Sequence, residues 1–130
     1  MGFFDALDAS ASALTAQRLR MDTISGNLAN SNTTRTAKGE AFRREMVVFE
    51  SSPGRHATGV RVSKIVDDPS PFRMAYEPGH PDANKDGYVA YPNVNPVTEM
   101  VDLISASRSY EANTAVIGAF KGIAQKATEI

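Results

Sequence analysis

The chain has 130 residues, a formal net charge of −1, and neither cysteine nor tryptophan. That length suits one ordinary domain, the near-neutral charge gives no basic footprint for nucleic acid or an anionic membrane, and disulfides and thiolate metal sites are excluded. No apolar run approaches the ~18 residues of a membrane span, and Met1-Gly2-Phe3-Phe4-Asp5 lacks the basic region and apolar core of a cleavable signal peptide.

Phe3 to Leu28 reads as a helix about 39 Å long. Phe4, Leu7, Ala11, Leu14, Arg18, Met21, Ser25 and Leu28 step alternately by three and four, the heptad spacing of a coiled-coil seam. Asp5 and Asp8 sit near its start, where carboxylates favour the positive end of the helix dipole. Asn27-Leu28-Ala29-Asn30-Ser31-Asn32-Thr33 then forms a dense stop signal, because Asn, Ser and Thr side chains bond their own main chain.

Residues 38 to 94 lose helical periodicity and gain Gly, Pro and β-branched residues. Phe42 to Phe49 reads as a strand broken by Ser52-Pro53-Gly54. Val60 to Val66 and Phe72 to Tyr76 alternate across the turn Asp67-Asp68-Pro69-Ser70-Pro71, which predicts a β-hairpin between them. Pro78 to Pro96 reads as an extended strap without regular structure, with Tyr88, Val89 and Tyr91 anchored on a helix.

Within the strap, Asp82-x-Asn84-x-Asp86-Gly87 matches the first half of a calcium loop. Asn93 stands where the twelfth-position Glu belongs, and Pro78 and Pro81 deny an entering helix, so an Asx-rich turn is the better reading. His56 and His80, the two histidines, lack zinc-ligand spacing. No nucleophile elbow or phosphate loop occurs. The expectation is therefore a protein without catalytic residues, metal or cofactor.

Asn95 is a good N-cap and Pro96 suits the first helical position, so a long helix starts there and runs to Ile130. Leu103, Ala106, Tyr110, Asn113, Ile117, Phe120, Ala124 and Ala127 form its seam, and Val116, Phe120, Ile123, Ala127 and Ile130 a second row beside it. Gly118 and Gly122 lie one turn apart and cost on the order of 1 kcal/mol each in a helix interior. They read as a site of close approach by another backbone, within the chain or from a neighbour.

Together these stretches resemble the bacterial flagellar rod, hook and hook-associated family, and within it the proximal-rod type. The N-terminal match is Ala16-Gln17-Arg18-Leu19-Arg20-Met21-Asp22-Thr23-Ile24-Ser25-Gly26-Asn27-Leu28-Ala29-Asn30-Ser31-Asn32-Thr33. Asn27, Ala29, Asn30 and Thr33 fall on the family's helix-ending signature. Thr34-Arg35-Thr36 replaces the Pro-Gly-Tyr of many members. Tyr76 to Asn84, Gly87-Tyr88-Val89, Pro92 to Asn95, Glu99 to Asp102 and Ser107 to Asn113 extend the likeness over essentially the whole chain.

The resemblance implies a non-enzymatic axial protein of the basal body, exported without a cleavable signal. Its terminal helices would pack with copies of itself and with other rod proteins, and its partners would include basal-body ring and export-gate adaptor proteins. The expected fold is mainly α: a coiled coil of axial helices over 1–32 and 96–130, with a central β-hairpin and extended strap over 33–95. The alternative is a soluble helical adaptor that offers the same stripe to one partner helix.

Overall fold

The computed structural model describes residues 2–52 and 59–130. Pro53, Gly54 and His56, named above, lie outside them. Two long helices, α1 (Phe3–Ala29) and α2 (Pro96–Thr128), bracket four short strands: β1 (Glu45–Ser51), β2 (Val60–Asp67), β3 (Arg73–Tyr76) and β4 (Tyr88–Tyr91). The helices pack antiparallel. Asn27 meets Glu99 at one end, and Phe3 lies edge-to-face on Phe120, 5.0 Å between ring centres, at the other.

Both helix starts are chemically marked. Asn95 Oδ1 accepts from the N–H groups of Val97 and Thr98 at 3.1 and 3.3 Å, and Pro96 follows it. At α1 the Gly2 N–H donates to Asp5 Oδ2 at 3.1 Å. At its far end Asn30 Nδ2 donates back to the Gly26 carbonyl at 2.9 Å, and the Thr33 hydroxyl donates to Asn30 Oδ1 at 3.2 Å. These bonds satisfy main-chain and side-chain groups that the last helical turn leaves free.

The strand pairing differs from the predicted hairpin. β2 pairs antiparallel with β1, from Glu45↔Asp67 to Ser51↔Val60, with a bulge at Val48/Phe49. β3 pairs antiparallel with β4, from Arg73↔Tyr91 to Tyr76↔Tyr88. The strap thus contributes a strand. The break at Pro69–Pro71 separates two ribbons instead of joining one, since Arg43 and Asn93 occupy the carbonyls of Asp68 and Ser70 there.

The strap residues also anchor differently. Val89 is fully buried, but Tyr88 is exposed and meets the Tyr76 ring edge-on, while Tyr91 donates to Glu77 Oε2 at 2.8 Å and lies under Arg73. Gly87, at φ +87°, closes the turn into β4. A Cβ there would come within 2.8 Å of the Tyr76 ring, so glycine is required twice over.

The core is small. Among the described residues, Ala16, Ile24, Ala41, Val89, Pro92, Val94 and Ala106 are the buried apolar side chains, joined by the polar Ser10, Asn27 and Glu99. A lone two-stranded ribbon is marginal in water, and here β1 and β2 lean on α1. Ser12 makes one of the ties, accepting from the Val60 N–H at 3.1 Å.

Candidate assembly interface

The seam of α2 follows the predicted row. Ala106 is fully buried, and Leu103, Tyr110, Asn113, Ile117 and Phe120 are half-buried. Asn113 turns its amide onto its own helix, donating to the Ser109 carbonyl at 2.8 Å. Ala124 and Ala127 are exposed, because α1 reaches no further than Phe120.

On α1 the predicted row splits. Leu7, Leu14, Met21 and Leu28 are half-buried, whereas Phe4 and Ala11 are exposed, Phe4 by 74%. The most buried positions are Ser10, Ala16, Ile24 and Asn27. The inward face is thus rotated from the predicted row toward β1 and β2. That rotation lets α1 serve two neighbours, the sheet and α2, with one face of small and polar residues.

Gly118 has no atom within 4 Å of where a Cβ would stand, and neither does Gly122. Among the described residues, no backbone from another element approaches them closely. The intrachain half of that expectation is therefore corrected.

The helix pair is locked to the strands by a polar cluster that hydropathy does not reveal. Glu99 is 1% exposed. Its carboxylate accepts from Arg44 Nε and, at 3.3 Å, from Asn27 Nδ2. Arg44 Nη1 reaches Asp68 Oδ2 at 3.1 Å, and Nη2 lies 3.8 Å from Asp102. The Arg44 N–H donates to Asn93 Oδ1 at 2.8 Å, and its carbonyl accepts from the Asp68 N–H at 2.8 Å. One residue therefore ties the entry to β1, the exit from β2, the strap and the first turns of α2.

Burial opposes the charge on Arg44, but hydrogen bonds and attraction from Glu99 and Asp68 win, and its pKa rises. The Asp68 carboxyl is held below its ordinary range, first by hydrogen bonding from Ser70 and then by Arg44. Arg44 and Glu99 were missed as functional residues. A sequence signal exists for one of them: stepping the α2 seam back four from Leu103 lands on Glu99.

The Asp82–Gly87 loop is spent on structure. Asp82 accepts from the Thr34 hydroxyl at 2.6 Å and pairs with Arg35 at 2.7 Å, pinning the strap to the segment that leaves α1. Asn84 Oδ1 accepts from the N–H groups of Asp86 and Tyr88, each at 2.9 Å, as an Asx turn does. His80 Nδ1 accepts from the Asp82 N–H at 2.9 Å. The motif residues divide in the same way: Asn30 and Thr33 cap α1, Ala29 is exposed, and Asn27 points into the cluster.

Residues 7–35 match the family described as flagella basal body rod protein, and residues 85–130 match the flagellar basal body rod FlgEFG protein C-terminal family. The flagellar basal-body rod protein FlgC of Bacillus subtilis is 49% identical, with all of this chain and 99% of that protein aligned. Its namesake in Borreliella burgdorferi is 42% identical over 100% and 98% of the two chains, and that of Escherichia coli O6:H1 is 40% identical over 97% and 96%. The chain belongs to the flagellar basal-body rod protein family, on its FlgC branch.

Proposed function

We propose that this structural component of the proximal rod assembles through its two terminal helices into the wall of a tube that carries torque and passes exported subunits. The observation that carries the reading is an unfinished helix pair. α2 outruns α1, and Phe4, Val116, Ile123 and Ile130 stand exposed around that end. Such a cluster of apolar residues is an interaction surface by default. We read residues 1–32 and 96–130 as the axial part and 33–95 as the part that distinguishes this subunit from its neighbours. Export proceeds without a cleavable signal, the chain acts without catalysis, and the partners are copies of the chain, other rod proteins, and ring and export-gate adaptors.

The seam residues carry the test. Ile117→Asp and Leu14→Asp are expected to abolish incorporation into basal bodies and motility, with normal synthesis. Full motility with both changes overturns the reading. A concentration series in light scattering separates the adaptor alternative, since an axial protein gives open-ended polymers and an adaptor one discrete complex.

A further inference from the structure

The β3–β4 ribbon has no direct hold on the helix pair. Among the described residues, neither of its strands packs against α1, α2 or the β1–β2 ribbon. Polar side chains grip its root instead. Arg43 Nη1 donates to the carbonyls of Asp68 and Ser70 at 3.1 and 2.9 Å, and its guanidinium lies 4.2 Å above the centre of the Phe72 ring. Asn93 Nδ2 donates to the same two carbonyls at 3.1 and 3.0 Å. Further along, the strap is tied by Asp82 to Thr34 and Arg35, beyond the end of α1.

Both gripping residues are fastened to Arg44. Arg43 is its neighbour in the chain, and Asn93 Oδ1 accepts from its N–H at 2.8 Å. Arg44 in turn faces α2. Of the three carboxylates around its guanidinium, Asp68 lies beside the exit from β2, whereas Glu99 and Asp102 ride on the first two turns of α2.

Glu99 reaches this place only while α2 lies on α1. It sits on the seam row with Leu103, Ala106 and Tyr110, and Asn27 of α1 donates to it. An opened helix pair returns its carboxylate to water and leaves Arg44 with Asp68 alone. A helix pair that closes without Arg44 in place buries a carboxylate with no counter-charge, which is strongly unfavourable. Each half is therefore ordered at less cost when the other already is. Coupling of this kind is reciprocal.

We propose that the Glu99–Arg44–Asn93 chain of bonds is a conformational coupler: docking of α2 on α1 fixes the root of the β3–β4 ribbon, and loosening either loosens the other. The two states are Glu99 inserted and Glu99 in water, and both the seam and the ribbon root bias them. The coupling is a property of one chain, so it goes beyond the rod reading and needs no neighbour. Anything that covers the helix pair thereby stiffens a ribbon it does not touch.

Native-state hydrogen exchange of the full chain, followed by NMR, tests it. Tyr110 is half-buried on the seam, roughly 16 Å along α2 from Glu99. Tyr110→Ala is expected to raise exchange about tenfold in the seam and, by a similar factor, at the β3–β4 ladder amides, within the usual range for coupled sites. With Arg44→Met and Glu99→Met in place, Tyr110→Ala still acts on the seam but no longer on the ribbon. Ribbon exchange indifferent to Tyr110→Ala in the otherwise unchanged chain overturns the coupling. So does a ribbon that still follows the seam in the doubly replaced chain, since it then opens by another route. The reverse measurement decides where the double replacement fails to fold. Asn93→Ala is expected to speed exchange at the seam amides around Ala106, and seam amides that keep their wild-type rates overturn the proposal.

Discussion

The carboxamide of Asn27 and the main chain of Glu45 exchange two hydrogen bonds, Nδ2–H to the carbonyl at 2.9 Å and N–H to Oδ1 at 3.0 Å. A helix side chain thus pairs with the first residue of β1 as a neighbouring strand would. The same amide donates to Glu99. Asn27→Ala strands all three groups at once, which costs about 1–3 kcal/mol. Asn27→Asp keeps the shape but loses the donor and sets a second carboxylate against Glu99, so its loss is larger. Thermal unfolding followed by circular dichroism is expected to order the melting temperatures wild type, Ala, then Asp. An unchanged midpoint for Asn27→Ala would remove the amide from any role in the fold.

Arg44 and Glu99 make the second prediction. Breaking a buried pair from one side leaves an uncompensated charge, whereas replacing both partners by apolar groups is often mild. Glu99 is buried and the Arg44 side chain is 22% exposed, so partial hydration tempers the penalty. Arg44→Met alone is expected to cost about 2–4 kcal/mol, and Arg44→Met with Glu99→Met less than the sum of the two single changes. Urea unfolding of the four members of the cycle measures this. Strict additivity would mean the two groups are energetically independent.

These two contacts also show what the sequence could carry. The α2 row from Leu103 to Phe120 was legible because one stripe serves one neighbour, α1, and periodicity reports a single stripe well. α1 serves both α2 and a sheet, and its deepest positions include Ser10, Ala16 and Asn27, which hydropathy does not mark as interior. The predicted row therefore fell to one side of the true face. Strand pairing failed for a different reason. Val60–Val66 and Phe72–Tyr76 are neighbours with a turn between them, but the order of the ribbons is set by Arg43, Arg44 and Asn93, whose bonds bridge distant segments. The helix boundaries were readable from Asn95, Pro96 and Asn30 because caps are local chemistry.

Acid should loosen the strap first. The Asp82 carboxyl is held below its ordinary range by the Thr34 hydroxyl, then by Arg35 and His80, and that of Asp68 by Ser70 and then Arg44. In the unfolded chain both return to about 3.9. The folded state then binds fewer protons, so these groups contribute stability that is fully present above that value. It is lost as pH falls through the lowered folded values, below about pH 4. Asp82→Asn is expected to flatten part of the fall in melting temperature between pH 4 and 2 while leaving the slope near neutrality unchanged. A carboxyl titration of Asp82 by NMR at or above the ordinary value would contradict the Thr34 and Arg35 contacts.

The glycines of α2 separate what the free chain wants from what an assembly would need. Neither Gly118 nor Gly122 has an atom within 4 Å of a would-be Cβ, so alanine fits at both positions without strain. Alanine is better in a helix interior by about 1 kcal/mol per site, and part of that gain comes from a less flexible unfolded chain. The isolated Gly118→Ala/Gly122→Ala chain should therefore melt several degrees higher than wild type. In cells the expected sign is opposite. If a neighbouring subunit's backbone lies against this face, two added methyl groups hold it away, and both incorporation into basal bodies and swimming speed fall. The informative result is the pair of measurements made on one variant. A more stable chain with impaired assembly locates a subunit contact at these glycines. A more stable chain that assembles and swims as well as wild type retires the close-approach reading, and it leaves the two glycines as a local softening of α2 with no neighbour against them.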